Sequence, residues 1–277
     1  MELEAVRELA RFALRNLEAH RQRIDDLNVY PVPDGDTGTN LVLTLRSVVE
    51  ALDRSSADGN EAVAKELTRA ALMGARGNSG VIFSQIVRGF AEALGRSEDM
   101  SSPRLARAFR TASDAAYRAV KRPVEGTMLT VIREMAEQGE VKETRRLPPP
   151  EFLAALLARG EDALARTPEM LDVLREAGVV DAGGAGLVEI VRGIALGAAG
   201  EPIPESPVES EKLSFDAIHQ ELSKYRYCTV FVVEGDELDH DGLEVELERL
   251  GDSLLVVGDR SALKVHVHTD DPGAALS

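Results

Sequence analysis

The sequence predicts a mainly α-helical protein that ends in a small α/β unit. Three observations predict it. Apolar residues recur at three- and four-residue spacing through most of the first 200 positions. Aromatic residues make up only 4% of the chain and tryptophan is absent, which suits helices packed through alanine and leucine better than a β-sandwich. From Tyr225 onward the pattern turns β-branched and aromatic.

Residues 2–22 read as an amphipathic helix, with Leu3, Val6, Leu9, Ala10, Ala13, Leu14 and Leu17 on one side. A second helix over about 39–52 carries Leu41, Leu45, Val48 and Val49, and 53–59 is a loop by composition. Helical periodicity returns at 61–73, 79–95, 102–120, 127–138, 149–166, 168–177 and 185–198. Pro103, Pro149 and Pro168 fall where helices start, the position at which proline is tolerated. Residues 1–200 therefore form one helical domain. A linker rich in proline, serine and charge follows at 201–211. Residues 212–277 read as a small α/β domain, with strands at 225–233, 253–257 and 262–268 and a helix at 241–250. The chain stops at Pro272–Ser277, just inside what reads as another helix, so a fragment of a longer chain is expected.

Charge supports the division. The formal net charge is −16, and residues 201–277 hold 18 acidic and 6 basic side chains, a net of −12 that leaves −4 for the first 200. Such a balance argues against nucleic acid and anionic membrane as partners. A single cysteine precludes an internal disulfide and fits a reducing cytoplasm. The acidic N-terminus has no long apolar core, and no stretch reaches ~18 uninterrupted apolar residues, so neither a signal peptide nor a transmembrane segment is expected.

The most informative stretch is Asn28-Val-Tyr-Pro-Val-Pro-Asp34-Gly-Asp36-Thr37-Gly-Thr-Asn40. Pro31 and Pro33 stiffen a loop that aims Asp34 and Asp36 just ahead of a helix start. Hard divalent ions want carboxylate and amide oxygens, and Mg²⁺ is usually held by one or two carboxylates plus substrate phosphates. An Asp-Gly turn that only caps a helix is the plain alternative. Three other glycine-rich points also precede helices: Gly74-Ala-Arg-Gly77-Asn78-Ser79-Gly80, Pro123-Val-Glu-Gly126-Thr127-Met128 and Asp181-Ala-Gly183-Gly-Ala-Gly186. Each offers a permissive backbone at a helix N-terminus, and together they predict helix starts converging on one polyanion. No Gly-x-x-x-x-Gly-Lys-Ser/Thr run and no strand-borne Gly-x-Gly-x-x-Gly is present, so a P-loop or Rossmann site is not expected.

These four motifs, in this order, resemble the ATP-binding domain of the dihydroxyacetone-kinase L-type superfamily. The wording from Asn28 to Asn40 is similar to the bacterial fatty acid kinase A subunit, and the resemblance spans essentially the whole chain. It implies an eight-helix α-barrel with nucleotide at one end, two Mg²⁺ ions, ATP as donor and ADP as product. It also implies transfer of the γ-phosphoryl group to a fatty acid carboxylate presented by a separate DegV-type fatty-acid-binding protein, and a homodimer. Under it, Asp34 and Asp36 hold the Mg²⁺ ions with Asn28 in place of a further carboxylate, Asp26 being the less suitable alternative. Thr37 and Asn40 lie against phosphates or their metals. Gly77, Asn78, Ser79 and Gly80 cradle phosphates; Gly126, Thr127 and Met128 line the nucleotide pocket; Asp181 and Gly183 close its base-and-sugar side. The dihydroxyacetone kinases place a histidine where Thr37 stands, which counts against dihydroxyacetone itself as acceptor. Arg76 or Arg122 would steer the incoming carboxylate, unless each is simply a solvated helix-end arginine.

A second cluster lies beyond the linker. His266 and His268 sit two apart on a strand and so share one side, which Asp270 would continue, while Cys228 lies on another strand of that sheet. One thiolate and two imidazoles suit Zn²⁺, with an acid or water as fourth ligand; histidines that merely face solvent are the alternative. The family resemblance, which includes a metal site at this cysteine and His-x-His, favours Zn²⁺. His20, His219 and His240 lack partners in the sequence and read as surface residues. Two other functions fit the same residues: a dihydroxyacetone or small-polyol phosphotransferase subunit, and a non-catalytic nucleotide-binding scaffold with a structural Zn²⁺. A Zn²⁺ hydrolase fits poorly, because no glutamate stands near the cluster as its base.

Overall fold

A computed structural model describes residues 3–57, 59–95, 99–204 and 225–277. Eight long helices make the first domain: α1 (Leu3–Asp26), α2 (Thr37–Arg54), α3 (Asn60–Gly74), α4 (Gly77–Gly95), α5 (Ser102–Ala119), α6 (Met128–Glu140), α7 (Pro149–Ala165) and α10 (Ala182–Ala199). Two short helices, α8 (Thr167–Met170) and α9 (Asp172–Ala177), bridge α7 and α10. Each long helix packs on the next, and α10 returns to α1, so the eight close into a ring. The barrel expected from the family resemblance is present.

The ring is filled by the apolar stripes that the spacing marks. Leu17 and Ile24 of α1, Leu41 and Leu45 of α2, Ile132 and Met135 of α6 and Leu187 of α10 belong to one continuous buried cluster. Two glycines set how closely the helices cross. A Cβ on Gly193 would lie 2.7 Å from Ala13 Cα, and one on Gly89 would lie 2.5 Å from Ala112 Cα. Neither α10 nor α4 could seat a larger residue there without moving its neighbour. Helix α10 is long and apolar enough to cross a membrane, yet 61% of it is buried inside the ring, and that place in the core accounts for its composition.

The second unit is a three-stranded antiparallel sheet of order β1-β3-β2, with β1 at Tyr227–Glu234, β2 at Gly251–Asp259 and β3 at Ala262–Thr269. Helix α11 (His240–Glu248) connects β1 to β2, and a short α12 (Pro272–Ala275) follows β3. Central β3 is buried on both faces. Leu263, Val265 and Val267 pack with Val256 of β2 and Leu247 of α11. The alternate residues, Lys264, His266 and His268, turn to the opposite face, toward the helical ring. There Leu255, Val257 and Ala262 pack on Leu72, Ala75 and Val81 at the α3–α4 junction. The Lys264 ammonium donates to the Met73 carbonyl at 3.3 Å, satisfying an acceptor at the C-terminal end of α3.

Several boundaries differ from the sequence reading. Helix α1 runs to Asp26 rather than 22, because the buried stripe continues to Ile24, two turns beyond Leu17. The expected helix at 168–177 is two, broken at Leu171, whose extended backbone turns its side chain onto a small cluster with Val29, Leu174 and Val179. His20 and His240 are partly buried rather than surface residues: His20 Nδ1 lies 2.8 Å from the Asn16 carbonyl, and His240 Nε2 lies 2.9 Å from that of Val256. Of the expected linker, Glu201–Pro204 is irregular; positions 205–211, the start of the second domain and His219 lie outside the described residues.

Candidate functional site

The loop between α1 and α2 is tied down from both ends. At its far end, Asp25 accepts from the Thr39 backbone N–H at 2.9 Å and from its hydroxyl at 2.9 Å, pinning the first turn of α2 to α1. In its middle, the Asn28 side-chain amide donates to the Val32 carbonyl at 3.1 Å and to Asp34 Oδ1 at 2.6 Å. Thr37 Oγ1 in turn donates to Asn28 Oδ1 at 2.9 Å. Helix α2 starts at Thr37, two residues before the expected point, so Asp36 is its N-cap residue.

This loop forms one wall of a cavity of about 420 Å³. The first residues of three more helices supply the rest of the helical side: Gly77, Asn78 and Ser79 of α4, Thr127 and Met128 at α6, and Asp181 and Gly183 at α10. Four helix N-termini thus open on one space, each with a positive dipole end. Asn78 Oδ1 is buried with no hydrogen-bond partner among the described residues. Asn28, Asp34, Asp36, Thr37 and Asn40 also line the space. Gly80 and Gly126 lie behind the wall. Gly80 packs against Thr44, and Gly126 makes the turn into α6 against Thr167 and Met170.

Asp34 lies close enough to Asp36 to raise the cost of ionising it. Burial, then the charge of Asp34, pushes the Asp36 carboxyl up to about 6. No lysine or arginine ion-pairs with either aspartate among the described residues. Two neighbouring carboxylates with no protein cation against them suit a hard divalent ion, although the amide of Asn28 turns its nitrogen, not its oxygen, toward Asp34. Across the cavity, burial raises the Asp181 carboxyl to about 6, against the opposing pull of the Gly184 and Met128 N–H groups. Its Oδ2 accepts from Gly184 at 2.6 Å and caps α10.

The small sheet closes the opposite side. Cys228, His266 and His268 line the same cavity, and one ligand atom from each lies within 4.8 Å of the others. Burial raises the Cys228 thiol, as do the charges of Asp34 and Asp36, so the two clusters face one another at close range. Burial holds His266 down to about 3, which keeps its imidazole neutral, the form that ligates a metal. His266 Nε2 and His268 Nδ1 are buried without hydrogen-bond partners among the described residues. The donors present therefore fit a borderline-soft ion such as Zn²⁺. Asp270 does not continue the row as expected: its carboxylate takes the backbone N–H and Nε of Arg226, at 3.0 and 2.9 Å, and is held out of the cavity.

Sequence reading missed several lining residues. Tyr30 stands inside the motif, next to a cis peptide bond to Pro31, and its aromatic ring beside the prolines was a usable signal. Lys121, Glu248, Asp252 and Ser253 carried none, because only the docking of sheet on ring brings them to the rim. The Lys121–Glu248 ion pair, 2.6 Å long, spans that joint. Arg122 lines the cavity, whereas Arg76 points away and its guanidinium meets the Ala75 carbonyl at 3.2 Å.

A family model of the DAK2 domain matches residues 31–196. The chain belongs to the DAK2-domain family. A second model, the middle domain of the FakA-like fatty acid kinase proteins, matches residues 224–277. An uncharacterized protein of Staphylococcus saprophyticus is 40% identical over 271 residues, covering 94% of this chain and 49% of the relative. Protein YloV of Bacillus subtilis is 37% identical over 277 residues, covering 95% and 50%. This DAK2-domain chain spans about half the length of the curated relatives it matches. Among solved structures, the native dihydroxyacetone kinase of C. freundii aligns with a TM-score of 0.53 at 15% identity, over 69% of this chain and 34% of that one. The same enzyme in complex with AMP-PNP and Mg²⁺ aligns at 0.52 and 16%, over 69% and 33%. At such identity the likeness concerns the fold. The family resemblance read from the four motifs is thus borne out, as a DAK2 domain followed by a fatty-acid-kinase-type middle domain.

Proposed function

We propose that this chain is the nucleotide-binding and catalytic part of an ATP-dependent kinase that phosphorylates a fatty acid carboxylate, the acid being carried by a DegV-type fatty-acid-binding partner. The observation that carries this reading is the uncompensated pair Asp34 and Asp36 on a cavity built from four helix N-termini. The structurally similar dihydroxyacetone kinase, whose complex holds AMP-PNP and Mg²⁺, supports nucleotide and Mg²⁺ as ligands. The middle-domain match supports the fatty acid as acceptor.

In this reading Asp34 and Asp36, with Asn28 beside them, would hold two Mg²⁺ ions, whose charge would offset that of the triphosphate and its acceptor. The N–H groups at Asn78 and Ser79 cradle phosphate oxygens, and Thr37 and Asn40 fix the loop against them. Thr127, Met128, Asp181 and Gly183 line the base-and-sugar side. A carboxylate oxygen of the acid forms the new bond to the γ-phosphorus as the bond to ADP breaks, giving acyl phosphate and ADP. The acid is already ionised at pH 7, so the protein has no proton to remove. Arg122 on the cavity wall steers the incoming carboxylate. Cys228, His266 and His268 would hold a Zn²⁺ ion on the facing wall of the cavity.

The test is acyl phosphate formation from ATP, fatty acid and partner protein, alongside nucleotide binding with and without Mg²⁺. Binding that is equally strong without the metal sinks the reading. Phosphorylation of dihydroxyacetone in place of the fatty acid selects the small-polyol phosphotransferase. Undiminished nucleotide affinity together with no transfer to either acceptor selects a binding scaffold.

A further inference from the structure

The Cys228, His266 and His268 cluster has three donors, and a tetrahedral Zn²⁺ site needs four. Asp270 is committed to Arg226 outside the cavity. The Asp252 carboxylate stands beside a histidine of the cluster, His268. Asp252 is directly opposite His268 in the β2–β3 ladder, and both line the cavity. Immediately after Asp252 the register of β2 shifts, and Ser253 takes a left-handed backbone with φ of 50°. A bulge of this kind bends a strand and re-aims its side chains, and a non-glycine residue at positive φ is uncommon enough to need a reason.

Asp252 Oδ1 lies 3.8 Å from His268 Nδ1. That is too long for a hydrogen bond and close to the edge of a zinc coordination tetrahedron, about 3.3–3.6 Å for nitrogen, oxygen and sulfur donors. Cys228 Sγ and His266 Nδ1 stand at the same 3.8 Å. His268 Nδ1, the nitrogen that faces Asp252, is buried and has no hydrogen-bond partner among the described residues. Two donor pairs held just beyond tetrahedral spacing, with a buried unpartnered imidazole nitrogen among them, are what a preformed cation site requires.

We propose that Asp252 is the fourth member of this site, and that the strained bulge at Ser253 exists to bring its carboxylate to the cluster. The inference rests on the Zn²⁺ reading of Cys228, His266 and His268 given above. With one thiolate and one carboxylate, the four donors balance a divalent ion and leave neutral histidines in a buried setting. Asp252 ties the metal to β2 as well as to β1 and β3, so the ion staples all three strands.

The experiment uses the whole chain stripped of metal, with Zn²⁺ affinity read by competition against a chromophoric chelator and the site's symmetry read from the visible spectrum of the Co²⁺ form. Asp252→Asn keeps the side chain's size, and Asp252→His restores a donor. The expected result is one tight Zn²⁺ per chain, weakened by roughly 10–100-fold in Asp252→Asn and recovered in Asp252→His. The Co²⁺ spectrum of Asp252→Asn changes in intensity and position, while that of Asp270→Asn matches the parent. Parent-like affinity and spectrum in Asp252→Asn overturn the assignment of Asp252 alone and leave water as the fourth ligand. No Zn²⁺ binding by the parent overturns the metal reading itself. Metal-free Asp252→Asn is also melted beside the metal-free parent, and matching transitions show that any lost affinity belongs to the site.

Discussion

Asn28 grips Asp34: its side-chain amide donates to Asp34 Oδ1 at 2.6 Å while its own oxygen accepts from Thr37 Oγ1 at 2.9 Å. One buried amide therefore sets both the aim of a carboxylate and the first residue of α2. Replacing Asn28 with alanine leaves the buried Thr37 hydroxyl and the half-buried Val32 carbonyl short of a hydrogen bond, a loss of about 1–3 kcal/mol. The expected outcome is a lower denaturant midpoint together with weaker Mg²⁺-dependent nucleotide binding, checked by chemical denaturation and titration calorimetry.

Asp34→Asn keeps the shape and removes the charge. Turnover is expected to fall by at least about a hundredfold, the scale of losing one electrostatic contact to a transition state. The fold has no cause to weaken, since the change relieves repulsion with Asp36. A variant that melts like the parent and still makes acyl phosphate at the parent's rate would remove Asp34 from the machinery.

Asp36 gives a pH signature. Its carboxyl titrates near 6 rather than 3.8, so below about pH 6 a proton occupies the position a metal needs. Apparent Mg²⁺ affinity is expected to fall by up to about tenfold for each pH unit below that point and to level off above it. Asp36→Asn should bind weakly with no such slope between pH 5 and 7 (roughly the window in which the parent group titrates). Isothermal titration at several pH values makes the comparison.

Asp181 carries the opposite lesson for stability. The folded value of about 6 lies above the unfolded 3.8, so folding retains a proton that the unfolded chain releases between those values. Stability from this group is fullest below pH 3.8, declines as pH rises toward 6, and is lowest beyond it. The full cost is about 3 kcal/mol at most. Asparagine at 181 can still cap α10 without a charge to bury. Asp181→Asn should therefore be as stable as the parent or more so at pH 7, with the difference shrinking by pH 4.

Gly193→Ala tests the ring's closure. Alanine favours a helix by about 1 kcal/mol, but its methyl would meet Ala13 Cα at 2.7 Å and the Phe12 carbonyl at the same distance. Backbone atoms do not yield as a side-chain tip does, so α1 and α10 must part, at about 1–3 kcal/mol. A net loss of stability is expected, and a gain in melting temperature would show that the crossing is looser than described.

Local chemistry made much of this readable in advance. Leu17, Leu41, Ile132 and Leu187 sit at helical spacing and are buried, because period alone decides which side of a helix faces a core. The four glycine-rich helix starts were legible for the same reason: cap residues and glycines mark where a helix begins. Their convergence could be inferred only because several occurred together. Helix ends were less readable, as α1 shows, since Ile24 is one apolar residue among polar neighbours and only its burial reveals the extra turn. Asp252 was invisible. Its importance lies in standing opposite His268 across a ladder and beside a bulge, and neither register nor a φ of 50° at Ser253 is written in residue type. Asp270 misled for the same reason: period two placed it on the right face, while Arg226 drew it away.

The cavity takes its walls from both halves of the chain, with Asp34 and Asn78 on one side and Cys228 and His266 on the other. Any molecule filling that chamber acts as a rivet through two plates, so its binding energy is shared with the seam at Leu72, Val81, Leu255 and Val257. Loosening the seam at Leu72, Val81 or Val257, which do not line the cavity, should lower affinity there, and occupancy should in turn hold the two plates together.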